Sequence, residues 1–250
     1  MQIPIRDLKK YLKDNTEDCK HSHSFDKSII SKSLFALFNK VINKFSNMTE
    51  YETGLFIQSC DKWLDRKDIV NTAENNLNVS VGDICMIDWN INYKPELSYV
   101  HPCLIVEDVN NMIFVIPVSA SQDKLENAYH KVENPDGDQN YWKVNIEDGF
   151  LKECVLFVSE AKVVSKSRII NKIGSINCDM LDEDSLFRNI RKYMIKTYFP
   201  YEVQKYQNTI ERLNEEISRI ENLRRKYQSR YDVLRIKYDD LLKDIENNNN

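Results

Sequence analysis

Asp83-Ile84-Cys85-Met86-Ile87-Asp88-Trp89 (DICMIDW) breaks the pattern of everything before it. Upstream, from about residue 26 to 70, apolar residues recur at helical spacing. Ile30, Leu34, Leu37, Val41, Phe45 and Met48 make one stripe, and Tyr51, Leu55, Phe56, Cys60, Trp63 and Leu64 make another. From Val79 the period shortens. DICMIDW is followed by Cys103-Leu104-Ile105-Val106, Met112-Ile113-Phe114-Val115-Ile116-Pro117-Val118 and Cys154-Val155-Leu156-Phe157-Val158, all β-branched or aromatic runs bounded by polar turn residues. Short strands so arranged predict a small antiparallel barrel, and the change of period makes the chain α+β.

The flanks are helical. Thr49-Glu50-Tyr51-Glu52 has the form of a capping box, in which a threonine hydroxyl and a glutamate three residues on satisfy the free amides of a new helix. The two upstream stripes therefore read as a helical hairpin, preceded by a short amphipathic helix near residues 4 to 14 and followed by a polar linker over Asn71 to Asn78. Asp182 to Tyr198 reads as a closing helix with Leu186, Ile190, Tyr193 and Met194 on one face.

After Pro200, Val203, Ile210, Ile217, Arg224, Tyr231, Tyr238 and Ile245 repeat every seven residues. Tyr206, Leu213, Ile220, Tyr227, Leu234 and Leu241 stand three residues after each. This predicts a coiled-coil helix of roughly 60 Å. Such a seam needs a partner, either a second copy of the chain or the N-terminal hairpin; Arg224 and the two tyrosines make an imperfect dimer seam, which slightly favours a mixed bundle with the hairpin. The expected domains are a helical segment over 1–75, the barrel over 76–200, and the coiled coil over 201–250, ending in a frayed tail from Asn247 to Asn250.

A chain of 250 residues, 42% hydrophobic, with only 5 Gly and 6 Pro, can bury a sizeable core and is not low-complexity. A formal net charge of −4 excludes bulk electrostatic attraction to nucleic acid, so any polyanion site is local. The six cysteines contain no CxxC pair and fit a reducing compartment. The first ten residues mix acid and base, and no apolar run nears membrane-span length, so the expected location is cytoplasmic, with no membrane partner. Cys19, His21 and His23 have metal-like residue types, but no fourth ligand lies nearby, and they read as an interhelix loop. No metal or cofactor is expected.

The middle of the chain, roughly residues 79 to 198, resembles the MazF/PemK family of toxin endoribonucleases. Val81-Gly82-Asp83-Ile84-Cys85-Met86-Ile87-Asp88-Trp89 is similar to the family's opening GDI-x-x-V-D strand. Glu96 lies five residues before His101, as a glutamate does in the family's S-E-Q-G-G-x-R-P loop. His101-Pro102-Cys103-Leu104-Ile105-Val106 stands where the family reads R-P-A-L-V-I, and Phe114 to Ser119 where it reads V-I-V-A-P-I-T. Leu156 to Gly174 resembles the strand and turn ending in K-S-R-L-x-x-K-I-G. The resemblance implies an SH3-like barrel that dimerises, binds single-stranded RNA at the dimer face, and cleaves it without metal through the ribose 2′-OH. It also implies a neutralising antitoxin.

The family's arginine and threonine most closely tied to cleavage are here His101 and Ser119. A permanent cation gives way to a group that titrates near neutrality. On this reading His101 is the acid or base, Ser119 holds the phosphate, and Glu96 orients the imidazole or assists as a base. Lys162, Lys166 and Arg168, with Lys172 beside them, supply positive charge; Ser121 binds RNA and Trp142 stacks a base. Ser159 stands where family members carry an acidic residue, with Glu160 adjacent. RNA specificity would lie in loops 90–100 and 120–142. Without the resemblance, His101 reads as a ring capping a strand, Ser119 and Ser121 as turn residues, the cations as a solvated turn and Trp142 as barrel core. Two further readings stay open: a non-catalytic module whose barrel binds a protein or nucleic acid while the helices assemble it, and a scaffold built mainly around the helices.

Overall fold

The first expected helix forms as α1 (Ile5–Asp14), and the segment expected to be a loop after it coils into a six-residue α2 (Thr16–His21). Thr16 continues the turn by donating its hydroxyl to the Leu12 carbonyl at 3.0 Å. The hairpin follows as α3 (Ser28–Phe45) and α4 (Glu50–Arg66). The capping box closes as expected: the Glu52 amide donates to Thr49 Oγ1 and the Thr49 amide to Glu52 Oε2, both at 3.1 Å. Phe45 meets Phe56 edge to face at 4.9 Å across the turn. On α3 the buried residues are Ser33 and Ala36 rather than Leu37, which is exposed together with Phe35, Phe38 and Ile42.

This computed structural model describes residues 5–23, 25, 27–70, 77–94 and 96–248, with side chains as far as Leu242. Most of the expected linker, 71–76, and the last two residues of the expected tail lie outside the described residues. The chain divides into two compact units, Met1–Ile176 and Asn177–Asn250.

The first unit holds an eight-stranded sheet: β1 (Asp83–Asp88), β2 (Val100–Val109), β3 (Met112–Ser119), β4 (Ala128–Tyr129), β5 (Asp138–Val144), β6 (Cys154–Phe157), β7 (Lys162–Ser165) and β8 (Ile169–Ser175). The order is β4-β5-β6-β3-β2-β1-β8, with β7 also on β3. Every pairing is antiparallel except β4–β5. One face of β1 and β2 contributes Cys85, Ile87, Cys103 and Ile105 to a core with Trp89, Ile113, Val115 and Ile169. The opposite face buries Ile84, Leu104, Ile116, Val118 and Leu156. Strands covered on both faces read as continuous apolar runs, which is why these segments do not alternate.

The hairpin is tied to this sheet by polar bonds. The fully buried Ser59 hydroxyl of α4 donates to Asp88 Oδ1 at 2.5 Å. Arg66 donates from Nε to the Ser167 carbonyl at 2.8 Å and from Nη2 to the Ile169 carbonyl. A four-residue turn of helix, α5 (Gln122–Leu125), follows β3.

In the second unit Ser185 caps α6 (Leu186–Tyr198), accepting from the Arg188 amide. Its buried face is Phe187, Ile190 and Met194: Ile190 and Met194 of the expected face are buried, while Leu186 and Tyr193 are half-buried and Phe187 takes the place expected of Leu186. The longest element, α7 (Pro200–Asn248), runs 49 residues, about 73 Å. Among the described residues no helix is long and apolar enough to cross a membrane.

Candidate functional site

The β2–β3 ladder ends at the pair Cys103–Pro117. Proline has no amide hydrogen to continue a ladder, and both Pro102 and Pro117 stand at this end. Beyond it the strands take other neighbours: His101 pairs with Ile87 on β1, and Ser119 with Val155 on β6. The parting strands leave a cleft of ≈ 420 Å³ with His101 and Ser119 in its wall. The rest of the wall is largely apolar, with Met86, Phe150, Leu151 and Ile173, and one cation, Lys152. Gly149 (φ +98°) turns the chain so that Phe150, Leu151 and Lys152 reach this wall.

The environment acts on His101 in one direction. Burial disfavours the charged imidazolium, and its pKa falls below the ordinary 6.5. The ring is therefore neutral at pH 7 and able to accept a proton. Ser119 Oγ accepts from the Ser121 amide at 3.3 Å, which leaves its own hydroxyl hydrogen free to be donated. Cys154 lies in the same wall, and burial pushes its thiol up to about 12.

The remaining expected residues are elsewhere. Glu96 is not brought to His101. Its carboxylate pairs with Lys162 at 3.0 Å, in a separate ≈ 260 Å³ cleft that also contains Trp89, Ser159 and Glu160. Lys162 also lies over the Trp89 ring, 5.2 Å from its centre. Burial raises the Glu160 carboxyl, opposed by a backbone hydrogen bond to Leu97. Lys166 is held by Asp108 at 2.6 Å, Lys172 by Asp83 at 2.6 Å, and Arg168 donates to the Asp88 carbonyl at 2.9 Å. These cations fasten the β7–β8 turn to the sheet and do not converge on the cleft. Trp142 is 8% exposed, its indole N–H donates to the Gln139 carbonyl, and Tyr129 packs on its ring at 4.8 Å. It belongs to the core, and the expected base-stacking role is closed to it because its ring faces protein. Ser121 is exposed at the start of α5. Among the described residues no three His, Cys, Asp or Glu side chains gather as metal ligands.

Reading the sequence missed Lys152. It follows a glycine turn in a loop without periodicity, and its only signal is that Phe150-Leu151-Lys152 directly precedes the apolar run of β6.

The model of the PemK-like, MazF-like toxin of type II toxin-antitoxin systems matches residues 80–185. This segment is a PemK/MazF-like domain. The match includes both walls of the cleft and leaves α1 to α4, α6 and α7 outside. Among solved structures, the crystal structure of MazE-MazF (Form-II) from Deinococcus radiodurans matches at 11% identity and a TM-score of 0.33, over 48% of this chain and 95% of that one. No curated protein matches the chain. The PemK/MazF-like domain thus carries His101, Ser119 and Lys152 on one cleft, while the helices outside it are additions to the toxin pattern.

Proposed function

We propose that the PemK/MazF-like domain is a toxin-like endoribonuclease that cuts single-stranded RNA, messenger RNA in the cytoplasm, by acid-base chemistry. The observation that carries this reading is the meeting of His101 and Ser119 in one cleft. His101 and Ser119 stand at the parted ends of the neighbouring strands β2 and β3, and the resemblance sets them at the positions of the arginine and threonine tied to cleavage in the family. A neutral imidazole takes the proton from a ribose 2′-OH. The 2′-oxygen attacks the adjacent phosphorus, the bond to the 5′-oxygen breaks, and that oxygen takes a proton from water. The products are a 2′,3′-cyclic phosphate and a 5′-hydroxyl. Ser119 donates to a phosphate oxygen, and Lys152 supplies the positive charge that His101, unlike an arginine, lacks in its neutral form. An antitoxin that covers this cleft and a homodimer formed by the domain complete the proposal.

Full-length protein incubated with a mixed RNA pool and a chelator is expected to yield cyclic-phosphate ends. His101→Ala is expected to lower kcat at least about 100-fold, the range of a lost general base, with an unchanged circular dichroism spectrum. Wild-type protein that cuts nothing, or an alanine variant that cuts equally well, would sink the role of His101.

A second reading is favoured by a specific observation. Glu96 and the 162–172 cations are engaged in the fold and not gathered at the cleft, as a binding domain without catalysis would have them. In that case RNA binds at the cleft and leaves uncut.

A further inference from the structure

α7 presents an apolar seam to solvent, interrupted at Arg224: Ile210, Leu213, Ile217, Ile220, Tyr227 and Leu234 are all exposed. We propose that α7 pairs with α7 of a second copy of this chain, antiparallel and in one register, with Ile210 against Leu234 and the helix centres crossing near Asn222. The charges decide the direction.

In a parallel pair each seam position meets itself, so Arg224 would face Arg224. The flanking positions would set Glu216 against Glu221 and Arg230 against Arg235, and symmetry doubles each repulsion. Reversing one helix removes these conflicts. Arg224 then faces Ile220 and lies beside Glu221 of the second copy. Glu216 meets Arg230 on both sides, and Leu223, exposed at a flanking position, meets Leu223 at the centre. Tyr227 is set against Ile217 and Tyr231 against Leu213, so these rings pack on aliphatic side chains. Between Val203 and Leu241 the like-charge contact left is Glu221 with Glu221, which lies between the two Arg224 side chains; beyond the seam, Glu202 meets Asp244 at each end. No other antiparallel register both matches the seam from Val203 to Leu241 end to end and pairs Glu216 with Arg230. The starts of the two seams then lie about 57 Å apart; the contact uses α7 alone and does not rest on the activity of the PemK/MazF-like domain.

The test uses the full chain with Cys19, Cys60 and Cys178 changed to serine. Ile210→Cys protein mixed with Leu234→Cys protein is expected to give mainly the disulfide between unlike chains on mild oxidation. A predominant Ile210→Cys homodimer, or no cross-link, overturns the proposal. Charge reversal gives an independent reading by sedimentation equilibrium. Glu216→Arg and Arg230→Glu are each expected to weaken α7-dependent association about tenfold, and the double variant to restore it. In a parallel pair the same single changes would tighten association, and that result, or no change, also overturns the proposal.

Discussion

At His101 a titrating group lines the cleft, at the position that the resemblance gives to a permanent charge, so pH becomes a variable of the cleft. Burial lowers the pKa from 6.5, and the unfolded chain therefore binds the proton at a higher pH than the folded one. Above 6.5 both states are neutral there and stability is unaffected; as pH falls through the window below 6.5, the unfolded state is favoured. If His101 is the base, the acid limb of kcat/KM for RNA cleavage is expected below pH 6.5, because that parameter reports the free enzyme. A limb at or above 6.5 would mean that another group titrates. Urea melts from pH 7 to pH 5 are expected to lose less stability in His101→Gln than in wild type. Ser59 is a second residue with a defined cost. Its hydroxyl is one of two donors to Asp88 Oδ1, the other being the Asn90 amide at 2.9 Å. Ser59→Ala leaves a buried carboxylate short of a donor and is expected to cost about 1–3 kcal/mol in urea unfolding. A smaller loss would mean that water replaces the hydroxyl.

Elements differ in how plainly their sequence states them, and the difference follows burial. β1, β2, β3 and β6 are covered on both faces, so their apolar runs stand out. β5 opens with the exposed Asp138, Gln139 and Asn140 and has no run to find. β7 and β8 were legible only through the family resemblance, and α2 not at all, because a six-residue helix with no buried residue leaves no stripe. The site shows the same division. His101 and Ser119 lie at the ends of legible strands, whereas Lys152 sits in a loop. Glu96 misled because spacing along the chain says nothing about where a loop folds. Asn90 and Tyr99, both in the left-handed region at φ 68°, close the 91–98 loop on themselves through the Tyr99 amide and Asn90 carbonyl. Glu96 is thereby carried to Lys162. The loop at Gly149 carries a prediction of its own. A Cβ there would collide with the Ser175 carbonyl oxygen, at a φ that side chains rarely adopt. Gly149→Ala is expected to destabilise the first unit by about 1–3 kcal/mol and to disorder the Phe150–Lys152 wall. If the cleft binds RNA as proposed, affinity for RNA would then fall even in protein folded at low temperature. An alanine variant with wild-type stability and affinity would show that the loop can reroute.

For the whole molecule, the question is whether hairpin and sheet in the first unit open together or apart, and the cysteines divide so as to answer it. Cys85 and Cys103 face each other across β1 and β2, and Cys154 lies on β6. All three are buried, with the Cys85 and Cys154 thiols pushed up to about 12 and Cys103 also well above its usual value. Such thiols are almost never thiolates at neutral pH, and a reagent reaches them only when the sheet opens. Cys60 on α4 is half-buried, and its thiol is also raised by burial. The hairpin is joined to the sheet by Ser59 and Arg66, through polar bonds rather than by a share of the sheet's apolar core. It should detach at lower free energy than the sheet unfolds. In iodoacetamide labelling read by peptide mass, Cys60 is expected to react first, and Ser59→Ala to speed Cys60 alone. Cys85, Cys103 and Cys154 are expected to react later at one common rate that rises with urea. Cys60 labelling in step with the other three would mean that hairpin and sheet form one cooperative body. Cys154 reacting ahead of Cys85 and Cys103 would mean that the cleft wall opens by itself.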